Sequence, residues 1–262
     1  MNKSKRTRVE SDFRFLKQRG LKPNVLFAIR TYSFYDSVTG TRKILKSEVS
    51  GRKLSRKLCD ANKDNVTKSV TILRSQGVLK EDGEFYLVSD IPQQRSSREV
   101  STDFMKRMLR DRSSDYTLVY LWLNRRLSQK RSQGKFPFFS IGDIIKGIYL
   151  YETRNAKVYK KIQTILIDML IDGTVDWGTI KIDNTWLKYI KSVNENFVFN
   201  ESISKEYEKI FDTINDSVDT DKNFDMTMEE VELYKDLGRE ESKKDSVANY
   251  FEDDEDLLDF PF

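Results

Sequence analysis

The chain has 262 residues, with 46 Lys+Arg against 42 Asp+Glu, one Cys, no His, 11 Gly and 4 Pro. Without histidine no Ser-His-Asp or Cys-His nucleophile, His-rich zinc site or histidine-coordinated nicking endonuclease can be built, and the lone Cys59 excludes an internal disulfide framework and a four-cysteine metal centre. The net charge of +4 conceals a gradient: residues 1–135 carry +17, residues 136–200 carry +1 and residues 201–262 carry −14, which suggests a polyanion-binding body with an acidic interaction tail.

Residues 1–22 hold eight Lys/Arg and two acids and read as a partly disordered basic arm able to lie along phosphates. After Pro23 an apolar helix is predicted to about Asp36, then a turn at Val38–Thr41 and a short strand at Arg42–Glu48. Leu54 and Leu58 mark a second helix. Beyond a polar break, Val66, Val70 and Leu73 form the inner stripe of a third, which Gly77 should end. Val78–Lys80 and Glu84–Val88 form a hairpin about Glu81-Asp82-Gly83. Residues 96–115, with the stripe Phe104, Met105, Met108 and Leu109, read as a linker helix.

The same order then recurs. Tyr116–Leu127 is a first helix, Phe136–Phe139 is extended, and Ser140 can cap a helix to Tyr149. Thr153 can cap a long helix to Leu170 with core positions Val158, Ile162, Ile165, Leu166 and Met169. Gly173 closes it, and Thr174–Ile182 is read as a hairpin turning near Trp177-Gly178. From 199 to 237 the pattern is of acidic amphipathic helices, with Ile203, Tyr207, Ile210, Phe211 and Ile214 on one face. Residues 238–262 are charged, sparse in apolar residues and expected to be disordered.

The stretch SGRKLSRKLCDANKDNVTKSVTILRSQGVLKEDGEFYLV resembles the helix-turn-helix and wing of prokaryotic winged-helix proteins, most of all in its LxxxGxL passage from Leu73 to Leu79. Met169–Val175 is a weaker echo of that passage. The resemblance implies a mainly α fold with small β-hairpins (α+β), in two tandem winged helix-turn-helix domains at 23–95 and 116–198. Such an architecture is similar to that of initiators and replisome-organiser proteins of plasmids and phages, which implies a place in bacterial host cytoplasm or nucleoid. The closing EDDEDLLDFPF resembles the C-terminal tip of bacterial single-stranded-DNA-binding proteins, but has Leu257-Leu258 and Phe260 where acids and one aliphatic residue are commoner. By that likeness Phe260, Pro261 and Phe262 would enter an apolar pocket of a partner, with the Phe262 α-carboxylate on its basic rim. Asp253, Asp254, Asp256 and Asp259 would steer the approach.

A winged helix reads bases with the first turns of its third helix, which puts Asn65, Thr67, Lys68 and Thr71 on the reading face. Lys63 is placed for phosphate or guanine, and Lys46, Arg52, Lys53, Arg56 and Lys57 for phosphates. In the second module Arg154, Lys157, Lys160, Lys161 and Thr164 form a comparable face, diluted by Asp168, Asp172, Asp176 and Asp183, while Trp177 at a wing tip could stack on a base or wedge a minor groove. Whether that module touches DNA or protein stays open. The basic run Lys106–Arg112, with Arg125, Arg126, Lys130 and Arg131, adds charge between them.

No glycine-rich phosphate loop or clustered carboxylate cleft points to an enzyme, and no cofactor or metal is expected; Asp168 and Asp172, one helical turn apart, are the nearest to a cation pair. The chain lacks an N-terminal signal pattern and any apolar run near eighteen residues, so no membrane partner is expected. The expected function is DNA-binding in replication, through the tandem modules, with replication or repair proteins recruited by the tail and homodimerisation left open. One alternative is a single-stranded-DNA-binding protein without an OB-fold, whose exposed aromatics such as Tyr86 or Trp177 stack on bases. A winged-helix transcription regulator is another.

Overall fold

The computed structural model describes residues 5–11, 13–16, 20–92, 96–149, 156–182 and 185–205. The chain divides into a compact unit of residues 1–201 and a second unit of residues 202–262, of which 202–205 are described and helical. The first unit is a mixed α+β structure: eight α-helices with small antiparallel sheets among the described residues.

Strand β1 (Arg6–Glu10) is followed by one helical turn, α1 (Phe13–Leu16), and by α2 (Pro23–Tyr32). Every residue of α2 from Pro23 to Thr31 is buried, as expected of a helix that is apolar on most sides. Strands β2 (Phe34–Asp36) and β3 (Thr41–Leu45) lead through a 3-10 turn (Lys46–Val49) to α3 (Gly51–Ser55) and α4 (Lys63–Ser75). The hairpin of β4 (Leu79–Asp82) and β5 (Phe85–Val88) completes a sheet of order β2-β3-β5-β4. Gly77 takes the left-handed φ of +68° that turns α4 into β4. Ile44 and Val88, on neighbouring strands, turn the inner face of this sheet into the core.

Strand β6 (Ser97–Ser101) and α5 (Thr102–Asp111) come next, then α6 (Ser114–Ser132), β7 (Phe138–Phe139), α7 (Ile141–Tyr149), α8 (Ala156–Ile171), and the long hairpin β8 (Val175–Ile182) and β9 (Thr185–Val193). The sheet order here is β7-β9-β8. The order helix, strand, helix, helix, hairpin thus recurs, with β3-β5-β4 matched by β7-β9-β8, and in both the strand before the helix pair lies beside the last strand of the hairpin; the first half differs in carrying the extra edge strand β2. Ser140 caps α7 as its sequence suggests, taking the Asp143 amide at 3.0 Å while Asp143 takes the Ser140 amide at 2.9 Å.

Three expectations are corrected. The stretch 1–22 is not a basic arm over its described residues: β1 pairs antiparallel with β6, Val9, Phe13, Phe15 and Leu16 are buried, and the Lys22 amide donates to Ser69 of α4. Its alternating and clustered apolar residues outweigh its charge, because their burial contributes about 1.5–3 kcal/mol per large side chain. The segment 96–115 is not a linker: Phe104, Met105, Met108 and Leu109 are fully buried, and α5 belongs to a hydrophobic core that runs without a break from Val9 to Ile190. The second hairpin does not turn near Trp177-Gly178, since pairing continues out to Ile182 opposite Thr185. The expected cap Thr153 and the tail 206–262 lie outside the described residues.

Polar groups fix the second half internally and tie its end to the first strand. Asp172 accepts from Tyr116 Oη at 2.6 Å and from Thr174 Oγ1 at 2.7 Å, and pairs with Arg112 at 3.0 Å. It is a structural node rather than half of a cation site. Burial, then the charge of Asp172, raises the Tyr116 hydroxyl far above the ordinary tyrosine range. Glu195, beyond β9, holds Arg6 at 2.5 Å and accepts the Ser101 amide at 2.8 Å, clamping β1 and the start of α5.

Candidate nucleic-acid interface

The surface of interest is built on α4. Its N-cap Asn62 accepts the Asn65 amide at 2.9 Å, supplying a partner for one of the donors that a helix start leaves unpaired. Val66, Ser69 and Leu73 are buried, while Lys63, Thr67, Lys68 and Thr71 are exposed and Asn65 is half-exposed. Ser69 is fixed from behind: it donates to Asn65 O at 2.8 Å and accepts the Lys22 amide at 2.9 Å. The Thr67 and Thr71 hydroxyls donate back to Lys63 O and Thr67 O at 2.9 and 3.1 Å, leaving their oxygens to accept.

Helix α3, capped by Ser50, crosses α4 at Gly51, where an added Cβ would stand 2.9 Å from Lys63 O and Thr67 Oγ1. This close approach packs α3, which carries Arg52 and ends at Arg56, against the first turns of α4. Arg52, Arg56, Lys63 and Lys68 are exposed and form no ion pair with another described residue. Lys53 and Lys57 differ, because both are held by Glu48, at 3.1 and 2.5 Å. The Lys57 and then Lys53 hydrogen bonds draw the Glu48 carboxyl below its ordinary range. Lys57 also lies 4.1 Å from the Tyr32 ring centre. Lys46 pairs with Glu81 at 3.0 Å and Arg74 meets the same carboxylate, locking the hairpin to the end of α4. Of the expected phosphate-binding groups, Lys46, Lys53 and Lys57 are thus each engaged by a carboxylate shared with a second cation, a pairing that sequence spacing does not reveal.

The second half offers less. Lys157 and Lys160 are exposed on α8, Lys161 is tied to Asp115 of α6, and Arg154 lies outside the described residues. Trp177 is placed at no tip. It sits within β8 opposite Ile190, donates its indole N–H to Leu166 O at 3.0 Å and meets the Phe139 ring edge-on. Tyr86 is likewise taken up internally, with its ring centre 5.5 Å from Lys46 Nζ and 6.0 Å from the Arg74 guanidinium. Much of the central basic run is structural as well. Arg107 and Arg112 lie over the Phe197 ring, Arg110 pairs with Asp111, and Arg126 donates to Phe138 O.

Two surface features go beyond what the sequence signals. On the outer face of the first sheet, Phe34, Leu45, Phe85 and Leu87 surround Lys43, which is clamped by Asp36 at 3.1 Å and Asp82 at 3.5 Å. On the outer face of the second lie Phe136, Phe138 and Tyr189. The residue types mark neither, since each patch is assembled by pairing between strands distant in sequence. Among the described residues no group of acids and cysteine could hold a metal ion, and no helix is long and apolar enough to cross a membrane. No protein family, curated protein or solved structure matches this chain.

Proposed function

We propose that this chain is a tandem winged-helix protein of DNA replication that binds duplex DNA through α3 and α4 and recruits replication or repair proteins through its acidic C-terminal segment. The observation that carries the reading is the set Arg52, Arg56, Lys63 and Lys68, exposed and unpaired among the described residues, beside the polar first turns of a firmly capped helix. Cations of this kind displace counterions from phosphates, and Asn65 and Thr67 stand where base edges would be read. The repeated strand order in the two halves supports the tandem architecture. Lys157 and Lys160, exposed on α8, are the second half's remaining candidates, and so short a set is equally compatible with its docking on protein. The charge of −14 over residues 201–262 supports a segment that avoids DNA and steers toward a basic partner.

Fluorescence anisotropy with labelled duplex tests the first part. Lys63→Ala with Lys68→Ala should weaken binding to all sequences, and Asn65→Ala should relax sequence preference; unchanged affinity in both would remove α4 from the interface. Deleting Leu257–Phe262 should abolish capture of replication or repair proteins while leaving duplex affinity intact. Unchanged capture would end the recruiting role.

A further inference from the structure

The outer face of the second sheet carries a ring cluster that the duplex-binding surface does not use. Phe136 is 52% exposed; its ring centre lies 4.7 Å from that of Phe138 and 5.2 Å from that of Tyr189, at tilts of 41° and 48°. Phe138, Tyr189 and Gly178 are register partners across β7, β9 and β8, and the exposed Ile180 extends the face opposite Leu187. Gly178 is what lets the cluster lie low. A Cβ there would stand 2.8 Å from Lys191 Cε and 3.3 Å from Tyr189 Cε1, so its absence allows the Tyr189 ring and the Lys191 stem to lie over β8. The opposite face of this sheet is committed to the core through Phe139, Trp177 and Ile190. The outer rings therefore have no packing role on α8.

Charge separates this face from the apolar face of the first sheet. There the central Lys43 is neutralised by Asp36 and Asp82, a rim that repels a polyanion. Here the approach to β7, residues 128–138, holds Lys130, Arg131 and Lys135 and no acid, and Lys191 lies on the face itself, with Asp176 at 3.4 Å as its counter-ion. One exposed ring, Phe136, on two half-exposed ones, Phe138 and Tyr189, beside a cationic approach suits bases whose faces are open, because stacking needs a π-surface and the backbone needs positive charge. Paired bases in a duplex present only their edges.

We infer that Phe136, Phe138 and Tyr189 form a stacking platform for single-stranded nucleic acid, separate from the duplex-binding face of α4. The platform rests on the reading of this chain as DNA-binding only in taking nucleic acid as its ligand. A chain with both surfaces can hold the paired and the opened side of a partly melted site.

The test uses the full chain, a fluorescein-labelled oligothymidylate and a labelled duplex, with far-UV circular dichroism confirming the fold of each variant. Phe136→Ala should lower oligothymidylate affinity by about 5- to 150-fold, the range for losing one stacked base, with duplex affinity unchanged; Phe136→Trp should retain it. The quadruple variant Arg52→Ala, Arg56→Ala, Lys63→Ala, Lys68→Ala should lose duplex affinity and keep oligothymidylate binding. If Phe136→Ala leaves oligothymidylate binding unchanged while the quadruple variant loses duplex binding, the platform is wrong and the α4 interface stands. If duplex affinity survives the quadruple variant but oligothymidylate binding depends on Phe136, the platform stands and the α4 interface fails. Sedimentation showing self-association that Phe136→Ala abolishes, without oligothymidylate binding, would make the face a contact between copies and overturn the inference.

Discussion

Arg30 reaches Glu10 through Nε at 3.1 Å and Nη2 at 2.6 Å with both side chains almost fully enclosed, and it also donates to Ser89 O. Here β1 is joined to α2 by charge as well as by apolar contact. Replacing one partner strands the other's charge in the core, so Arg30→Met should cost about 3–5 kcal/mol by urea denaturation, and adding Glu10→Met should recover most of it. At the surface, Asp36 accepts from the Thr39 hydroxyl at 2.9 Å, from the Lys43 ammonium at 3.1 Å and from the Val38 amide at 3.0 Å. These bonds, Thr39 first, draw its carboxyl down to about 2. Because the folded value lies below the unfolded one, the contribution of Asp36 is complete above about pH 4 and fades as pH falls toward 2. Carboxyl-carbon NMR should show Asp36 titrating near 2 in the folded chain, and a midpoint near 4 would contradict the hydrogen bonding of this turn. Neither arrangement is legible in sequence. Glu10 and Arg30 lie twenty positions apart with nothing to mark them as partners, and an Asp in a turn looks the same whether or not a strand neighbour pairs with it.

Helix α4 is legible because two local signals agree: Val66, Val70 and Leu73 at helical spacing, and Gly77 to end it, whereas its cap Asn62 lies within what reads only as a polar break. Strand β1 is not, because its information lies in a partner about ninety residues away, Ser97–Ser101. Charge dominates the look of 1–22, although Val9, Phe13, Phe15 and Leu16 are the residues that decide its structure. The length of the second hairpin is hidden for a related reason. Trp177-Gly178 looks like a turn, yet Gly178 serves close packing by Tyr189 and Lys191 within a strand. Gly51 does the same between α3 and α4. Gly51→Ala should therefore destabilise the chain by about 1–3 kcal/mol through forced separation of the two helices. Duplex affinity should fall with it, since Arg52 and Arg56 move away from Lys63 and Lys68. Parallel urea and anisotropy titrations check both, and a fully stable variant with weakened binding would show that the crossing matters to the interface alone.

The net charge near neutrality hides opposed parts, and the structure sharpens where the positive part is usable. Much of the body's positive charge is engaged internally: Arg30 with Glu10, Lys53 and Lys57 with Glu48, Arg112 with Asp172, Lys161 with Asp115. Of the expected DNA-facing groups on α3 and α4, the exposed ones without an ion pair to another described residue are Arg52, Arg56, Lys63 and Lys68. The continuous core through α2, α5 and α6 explains why the two halves behave as one unit and not as beads on a linker. The dependence of duplex affinity on salt tests the central claim most directly, because its slope reports how many phosphates the protein neutralises, whatever the DNA sequence. For the quadruple variant Arg52→Ala, Arg56→Ala, Lys63→Ala, Lys68→Ala, the slope of log affinity against log salt should be shallower by about 0.9 for each phosphate no longer neutralised, roughly 3 to 4 in all. A slope and affinity equal to those of the unaltered chain would contradict the account and move the DNA, if it binds, to another face.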